Sequence, residues 1–176
     1  VFKLLVVILF WFSTVVSAET VVGPYIGAGM GYSYISHDTN RNATDNVGAA
    51  FNLYAGYSFN EYIGLDVGAA IMLYEAYIKN DAYSMQSTHS LITDLAIRLG
   101  VPLSNFANGY IRIGPGEMLG NKFISGGDNT GFYLGIGAKF KVSQSFGITV
   151  DDYGILMPRA REQDINVISV GIVYEF

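Results

Sequence analysis

Ile168-Ser169-Val170-Gly171-Ile172-Val173-Tyr174-Glu175-Phe176 stands at the end of the sequence and decides the reading of the rest. Side chains of an extended strand alternate between two faces, so Ile168, Val170, Ile172, Tyr174 and Phe176 share one side. Ser169, Gly171, Val173 and Glu175 share the other. The same period recurs upstream. Phe132, Leu134, Ile136, Ala138, Phe140 and Val142 alternate with Tyr133, Gly135, Gly137, Lys139 and Lys141. Residues 61–74 set Ile63, Leu65, Val67, Ala69, Ile71 and Leu73 against Tyr62, Gly64, Asp66, Gly68, Ala70 and Met72. One face is uniformly apolar, and the other carries glycine, small residues and a few charges. A soluble sandwich would turn the apolar face to a core. Here the strands are as long as a bilayer requires, about 9–11 residues, with aromatics gathered near their ends. The faces are therefore inverted, apolar side to lipid and polar side to a lumen.

Composition agrees. Of 176 residues, 51% are hydrophobic and only 14% charged, with 21 glycines and no cysteine, against about a quarter charged in an average soluble domain. Mean hydropathy is +0.32, yet past residue 22 no apolar run approaches the roughly 20 residues of a spanning helix. Without cysteine there are no disulfides, thiolate nucleophiles or cysteine metal sites. A net charge of −5 with ten Lys and Arg shows no basic patch for nucleic acid.

Eight alternating segments can be marked, at roughly 24–35, 47–58, 61–77, 88–101, 109–119, 131–142, 146–155 and 165–176. Residues 59–60, 102–108 and 143–145 form a shorter set of connections; 36–46, 78–87, 120–130 and 156–164 are longer and polar. This is the pattern of an all-β, eight-stranded antiparallel up-and-down transmembrane β-barrel with long loops outside the cell and both termini in the periplasm. Strand eight must pair with strand one, since an open edge in hydrocarbon strands its amides. Tyr32, Tyr34, Tyr74, Tyr77, Phe132 and Tyr133 are expected near the outer rim. Tyr57, Phe59, Tyr62, Tyr110, Phe140, Phe146 and Phe176 are expected near the inner one.

The first residues read as an address. Lys3, the apolar stretch Leu4 to Phe12, and Val16-Ser17-Ala18 describe a secretory signal peptide over residues 1–18. Cleavage after Ala18 leaves the barrel, residues 19–176.

Four stretches carry a family likeness. They are Tyr25-Ile26-Gly27-Ala28-Gly29-Met30-Gly31-Tyr32; Gly56-Tyr57-Ser58-Phe59-Asn60 with Ile63-Gly64-Leu65-Asp66-Val67-Gly68; Ile97-Arg98-Leu99-Gly100-Val101-Pro102; and the ending Ser169 to Phe176. In order and spacing they resemble the transmembrane domain of the OmpA family, including its small stand-alone relatives of the OmpX/Ail kind. The resemblance implies a bacterial outer-membrane location among lipid and lipopolysaccharide. Ile168, Val170, Ile172, Tyr174 and Phe176 resemble the signal read by the barrel-insertion machinery. The peptidoglycan-binding domain of longer members is expected to be missing after Phe176.

Alternation turns Asp66, Asp94, Arg98, Arg112, Lys139 and Asp151 inward, three acids against three bases. Eight strands enclose a lumen just wide enough for side chains to fill it, and charges buried there must pair. The resemblance implies an ion-pair network at Asp66, Arg98, Arg112, Lys139 and Asp151. The family usually has an acid at the position of Lys139, so its pairing must be rearranged here. The network either fills and specifies the lumen or gates a narrow ion path.

Some positions resist the pattern. Pro115 cannot donate to a ladder, so a bulge is expected there, which would settle where Glu117 faces. Asp152 falls on the lipid face, so either the strand bulges at Asp151-Asp152 or the apolar band ends there. His89 with Ser87, Asp81 and Glu75 offers catalytic residue types without a family motif, and reads as rim decoration. His37, Asp38 and Asp45 are too few for a cation site, and Asn42-Ala43-Thr44 is a chance sequon. Gly27, Gly29 and Gly31 read as gaps making room for side chains across the lumen. No cofactor and no metal are expected. The expected function is a structural and surface-interaction protein presenting its loops to an unknown partner, in envelope integrity or adhesion. A narrow pore is the alternative, and a lipid-modifying enzyme is the third reading.

Overall fold

The computed structural model describes residues 22–37, 46–78, 84–119, 130–156 and 163–176. Eight strands run in chain order: β1 (Gly23–His37), β2 (Asn46–Ser58), β3 (Ile63–Ile78), β4 (Ser84–Pro102), β5 (Ala107–Leu119), β6 (Thr130–Lys141), β7 (Phe146–Leu156) and β8 (Gln163–Glu175). Each pairs antiparallel with the next, and β8 returns to β1, closing the barrel. Closure leaves no sheet edge, so every strand has partners on both sides. The signal-peptide residues 1–18 lie outside the described residues.

The register fixes the barrel's shape. Starting at Pro24, the paired residues run through Tyr57, Leu65, Ile97, Ile113, Leu134, Gly154 and Asn166 and return to β1 at Tyr34, ten residues further on. At ~3.3 Å per residue and ~4.8 Å between strands, that stagger tilts the strands by ~41° from the axis. Each residue then climbs ~2.5 Å along the axis.

Three short turns close one end, 59–62, 103–106 and 142–145, each close to the expected connection. All three are built alike, with a polar side chain near the start capping the amides that follow. Asn60 Oδ1 accepts from the amides of Tyr62 and Ile63, both at 2.8 Å. Ser104 Oγ accepts from Ala107 at 3.1 Å, and Ser143 Oγ from Phe146 at 3.1 Å.

Alternation is observed as expected. Ile26, Met30, Phe51, Leu53, Leu65, Val67, Ile97, Ile136, Val170 and Ile172 all face outward and exposed. Tyr57, Phe59, Tyr62, Phe146 and Phe176 ring the turn end, and Tyr32, Tyr34 and Phe132 ring the far end. Tyr110 and Tyr133 are not in either rim. Both are buried in the lumen, Tyr133 at 1% exposure, because their parity on the strand overrides the preference of aromatics for an interface.

The expected bulge at Pro115 is absent. Asp94 pairs with Gly116 and Ile97 with Ile113, so the register is the same on both sides of the proline. The ladder between β4 and β5 instead pauses there, while Pro115 stays in register with Phe132 of β6. Gly114 makes this possible: a Cβ on it would collide with the Leu95 carbonyl. Pro115 and Glu117 therefore both face outward, exposed. There is no bulge at Asp152 either, which pairs in unbroken register with Ile136 and Ile168.

Gly27 and Gly29 are the gaps expected of them, with the Tyr54 ring and Asn52 Oδ1 lying where their Cβ atoms would stand. Gly137 does the same service, its missing Cβ lying within 2.6 Å of both Asp151 Oδ1 and the Tyr110 ring. Gly137→Val should lower stability in urea-unfolding from lipid vesicles by about 1–3 kcal/mol. The lipid-facing Ala69→Val on β3 should leave it unchanged.

Candidate functional site: the lumen

The lumen is stacked in layers. Next to the turn end lies a cavity of about 330 Å³ whose lining includes Glu61, Asn105, Asn108, Lys139, Lys141 and Glu175. Its floor is the ion pair of Lys139 Nζ with Glu175 Oε1, both buried. Lys139 thus finds its acid on β8, which is how the pairing accommodates a base at that position.

Above it sits the ionic layer. Arg112 Nη2 donates to Asp151 Oδ1 at 2.9 Å, and the Tyr110 hydroxyl donates to the same oxygen at 2.6 Å. The Arg112 guanidinium is surrounded by the rings of Tyr54, Tyr110, Tyr133 and Tyr153, at 5.6, 5.8, 5.6 and 5.5 Å from their centres. Arg98 donates to Ser58 Oγ and lies 4.6 Å from the centre of the Tyr25 ring, and the Tyr25 hydroxyl donates to Asp66. Rings of this kind offer negative faces to a cation. Placing the buried Arg112 and the half-buried Arg98 in so narrow a tube therefore rests on tyrosine as much as on carboxylate.

Of the six expected charges, the structure joins Arg112 to Asp151 directly and gives Asp66 and Arg98 a common neighbour in Tyr25. Lys139 belongs to a separate pair nearer the turns. Asp94 joins no ion pair, and its Oδ1 is buried without a hydrogen-bond partner among the described residues. Asn52 Oδ1, Arg112 Nε and the Tyr153 hydroxyl share that condition. The list of three acids and three bases is extended by Glu175, a fourth inward acid, and by Lys141, a fourth base on the face of Lys139 at the turn-end cavity. The parity of Glu175 places it with Ser169 and Gly171, which is the signal that could have included it. The five tyrosines were missed for a different reason: an aromatic type does not announce its depth in the wall.

Beyond the ionic layer the lumen turns apolar. Met72, Ile92, Met118, Ile155, Ile165 and Val167 are fully buried and form one cluster with Ala50, Ala70, Ala96, Tyr133 and Tyr153. A lumen holding only glycine, small residues and charges is therefore corrected: its far half is a packed core. Between Tyr25, Asp66, Arg98 and Arg112 a space of only about 10 Å³ remains, at the limit of a single water.

The histidine constellation does not assemble among the described residues. His89 faces outward beside Leu73; Asp81 and the side chains of Ser87 and Glu75 lie outside them. His37 is placed by backbone alone, and Asp38, Asp45 and the sequon lie outside. Among the described residues no group of three His, Asp or Glu could hold a metal ion.

The family model described as the outer membrane protein beta-barrel domain matches residues 4–176. The chain belongs to this family. It is a barrel of the bacterial outer membrane. Solved structures share the fold. Ail of Yersinia pestis matches at 16% identity with a TM-score of 0.59, covering 88% of this chain and 99% of that one. Neisserial surface protein A matches at 15% and 0.58, covering 90% and 100%. The N-terminal barrel of Pseudomonas aeruginosa OprF matches at 15% and 0.54, covering 89% and 100%. A comparison with curated proteins returned no match.

Removing one partner of a buried pair leaves the other charged and unsolvated, at a cost of about 3–5 kcal/mol. Arg112→Leu should lose that much in urea-unfolding from vesicles. Arg112→Leu with Asp151→Leu should recover most of it, because no orphan charge remains.

Proposed function

We propose that this outer-membrane barrel is a structural anchor that presents its long connections at the cell surface, in envelope integrity or adhesion. The observation that carries the reading is the filled lumen, where the described residues form an ionic layer and an apolar core with room for about one water between Tyr25, Asp66, Arg98 and Arg112. An apolar constriction resists wetting, and the space beside Arg112 is too small for its guanidinium to exchange partners. A pore is the weaker reading on these grounds, and among the described residues no catalytic group is brought together to favour an enzyme.

The termini lie at the short-turn end, which is periplasmic in this reading, and the four long connections point outward. The exposed apolar band binds outer-membrane lipid, and lipopolysaccharide meets the far aromatic rim. Ile168, Val170, Ile172, Tyr174 and Phe176 serve the barrel-insertion machinery. In support, Phe176 is 68% exposed and continues an edge-to-face series through Tyr174 to Phe146 on the outer wall.

One structure of Ail is a complex with the heparin analogue sucrose octasulfate. Residues 38–45, 79–83, 120–129 and 157–162 here hold five bases (Arg41, Lys79, Lys122, Arg159, Arg161) and five acids (Asp38, Asp45, Asp81, Asp128, Glu162). That balance favours a partner of mixed charge over a polyanion. Refolded residues 19–176 should be silent in a planar bilayer, and replacing 38–45 or 120–129 should abolish partner binding in a barrel that still folds. Discrete openings altered by Arg98→Ala would overturn the anchor reading in favour of a pore.

A further inference from the structure

Asp152 is a carboxylate on the lipid-facing wall, and its depth can be read from the register. Its cross-strand neighbour Ile136 lies four residues from Phe132 at one aromatic rim and four from Phe140 toward the other. Asp152 itself is six residues along β7 from Phe146 at the turn rim, ~15 Å up the axis. With an apolar band about 25 Å tall, this acid stands close to the bilayer midplane. It is exposed, and the strand is regular on both sides of it. An ionisable group at this depth is costly and calls for a partner within the membrane.

A second polar group shares the wall. Asn166, exposed on β8, pairs with Gly154, two residues beyond Asp152. Its Oδ1 lies 2.7 Å from where a Gly154 Cβ would stand, so the amide leans over the bare glycine toward Asp152's column. With Ala138 opposite Val150, this face is shallower than the Leu, Ile and Val wall elsewhere. Small residues let two walls approach closely in lipid. The described strands carry no outward Lys or Arg, so among the described residues the acid meets no base on its own wall.

We infer that the β7–β8 wall is a dimer interface with a second copy of this chain. A two-fold axis along the membrane normal, the commonest symmetry of oligomers, leaves every residue at its own depth. Asp152 then faces its own counterpart, and each carboxyl finds in the other the polar partner that the hydrocarbon denies it. Asn166, with both donor and acceptor on its amide, makes the reciprocal pair nearer the far rim. The walls close on the space that Ala138 leaves open.

The test is sedimentation equilibrium of the full chain in density-matched micelles, repeated in lipid vesicles as energy transfer between singly labelled copies. Wild type should show a concentration-dependent dimer in both. Asp152→Leu should weaken it at least tenfold while keeping the heat-dependent gel shift of a folded barrel. Asp152→Asn, which keeps a hydrogen-bonding pair, should stay within a few-fold of wild type. Val67→Leu, outward on the distant β3, should change nothing. A wild-type monomer at every concentration, an Asp152→Leu dimer of unchanged strength, or an assembly larger than a dimer would each overturn the inference.

Discussion

Hydrocarbon offers a backbone amide nothing to bond to, and from that constraint the rest of this molecule follows. A sheet immersed in lipid must leave no edge, so β8 comes back to β1 and eight strands become a cylinder. The ten-residue stagger then sets the tilt, and tilt with strand number sets the width. The lumen that results accepts side chains and little else. Its inward positions must be filled by the sequence, and the chain does so with glycines opposite rings, bases set among acids, and an apolar cluster at the far half.

Within that tube, Arg112 is the residue around which the others are arranged. One carboxylate and four tyrosine rings surround it, contributed by β2, β5, β6 and β7. A guanidinium so placed ties distant strands through a single group, which is how a closed sheet gains rigidity across its interior as well as along its ladders. Tyr110 is shared, donating to Asp151 while its ring stands near both Arg98 and Arg112. The same arrangement that stabilises the barrel also fills its interior at that level, so rigidity and packing have one cause.

Period-two alternation made the eight strands legible, because a strand that faces lipid on one side and a lumen on the other leaves no freedom in its pattern. It also placed all six expected charges on the inner face. What it could not convey was height. Two residues of equal parity on different strands meet only if the stagger brings them level, and the stagger is a property of eight registers together. So Arg112 and Asp151 were recognisable as lumen groups, but not as each other's partner, and Glu175 went uncounted beside Lys139. Tyr110 and Tyr133 misled because residue type argued for a rim while parity argued for the lumen, and parity won. The apolar core was hidden for a related reason: Met72 and Ile155 have no polar residue beside them along the strand, so neither face stands out there. Pro115 suggested a bulge because it lacks a donor, yet a neighbouring glycine let the ladder pause without a shift in register.

The claim that most needs measuring is the immobility of Arg112 in a closed interior. Nuclear magnetic resonance of arginine side chains in the refolded chain, within nanodiscs, reads the guanidinium protons directly. A sealed lumen predicts separate Arg112 resonances with hindered rotation and slow exchange with water, lost on Asp151→Leu. A single averaged signal exchanging as fast as an exposed arginine would contradict the account.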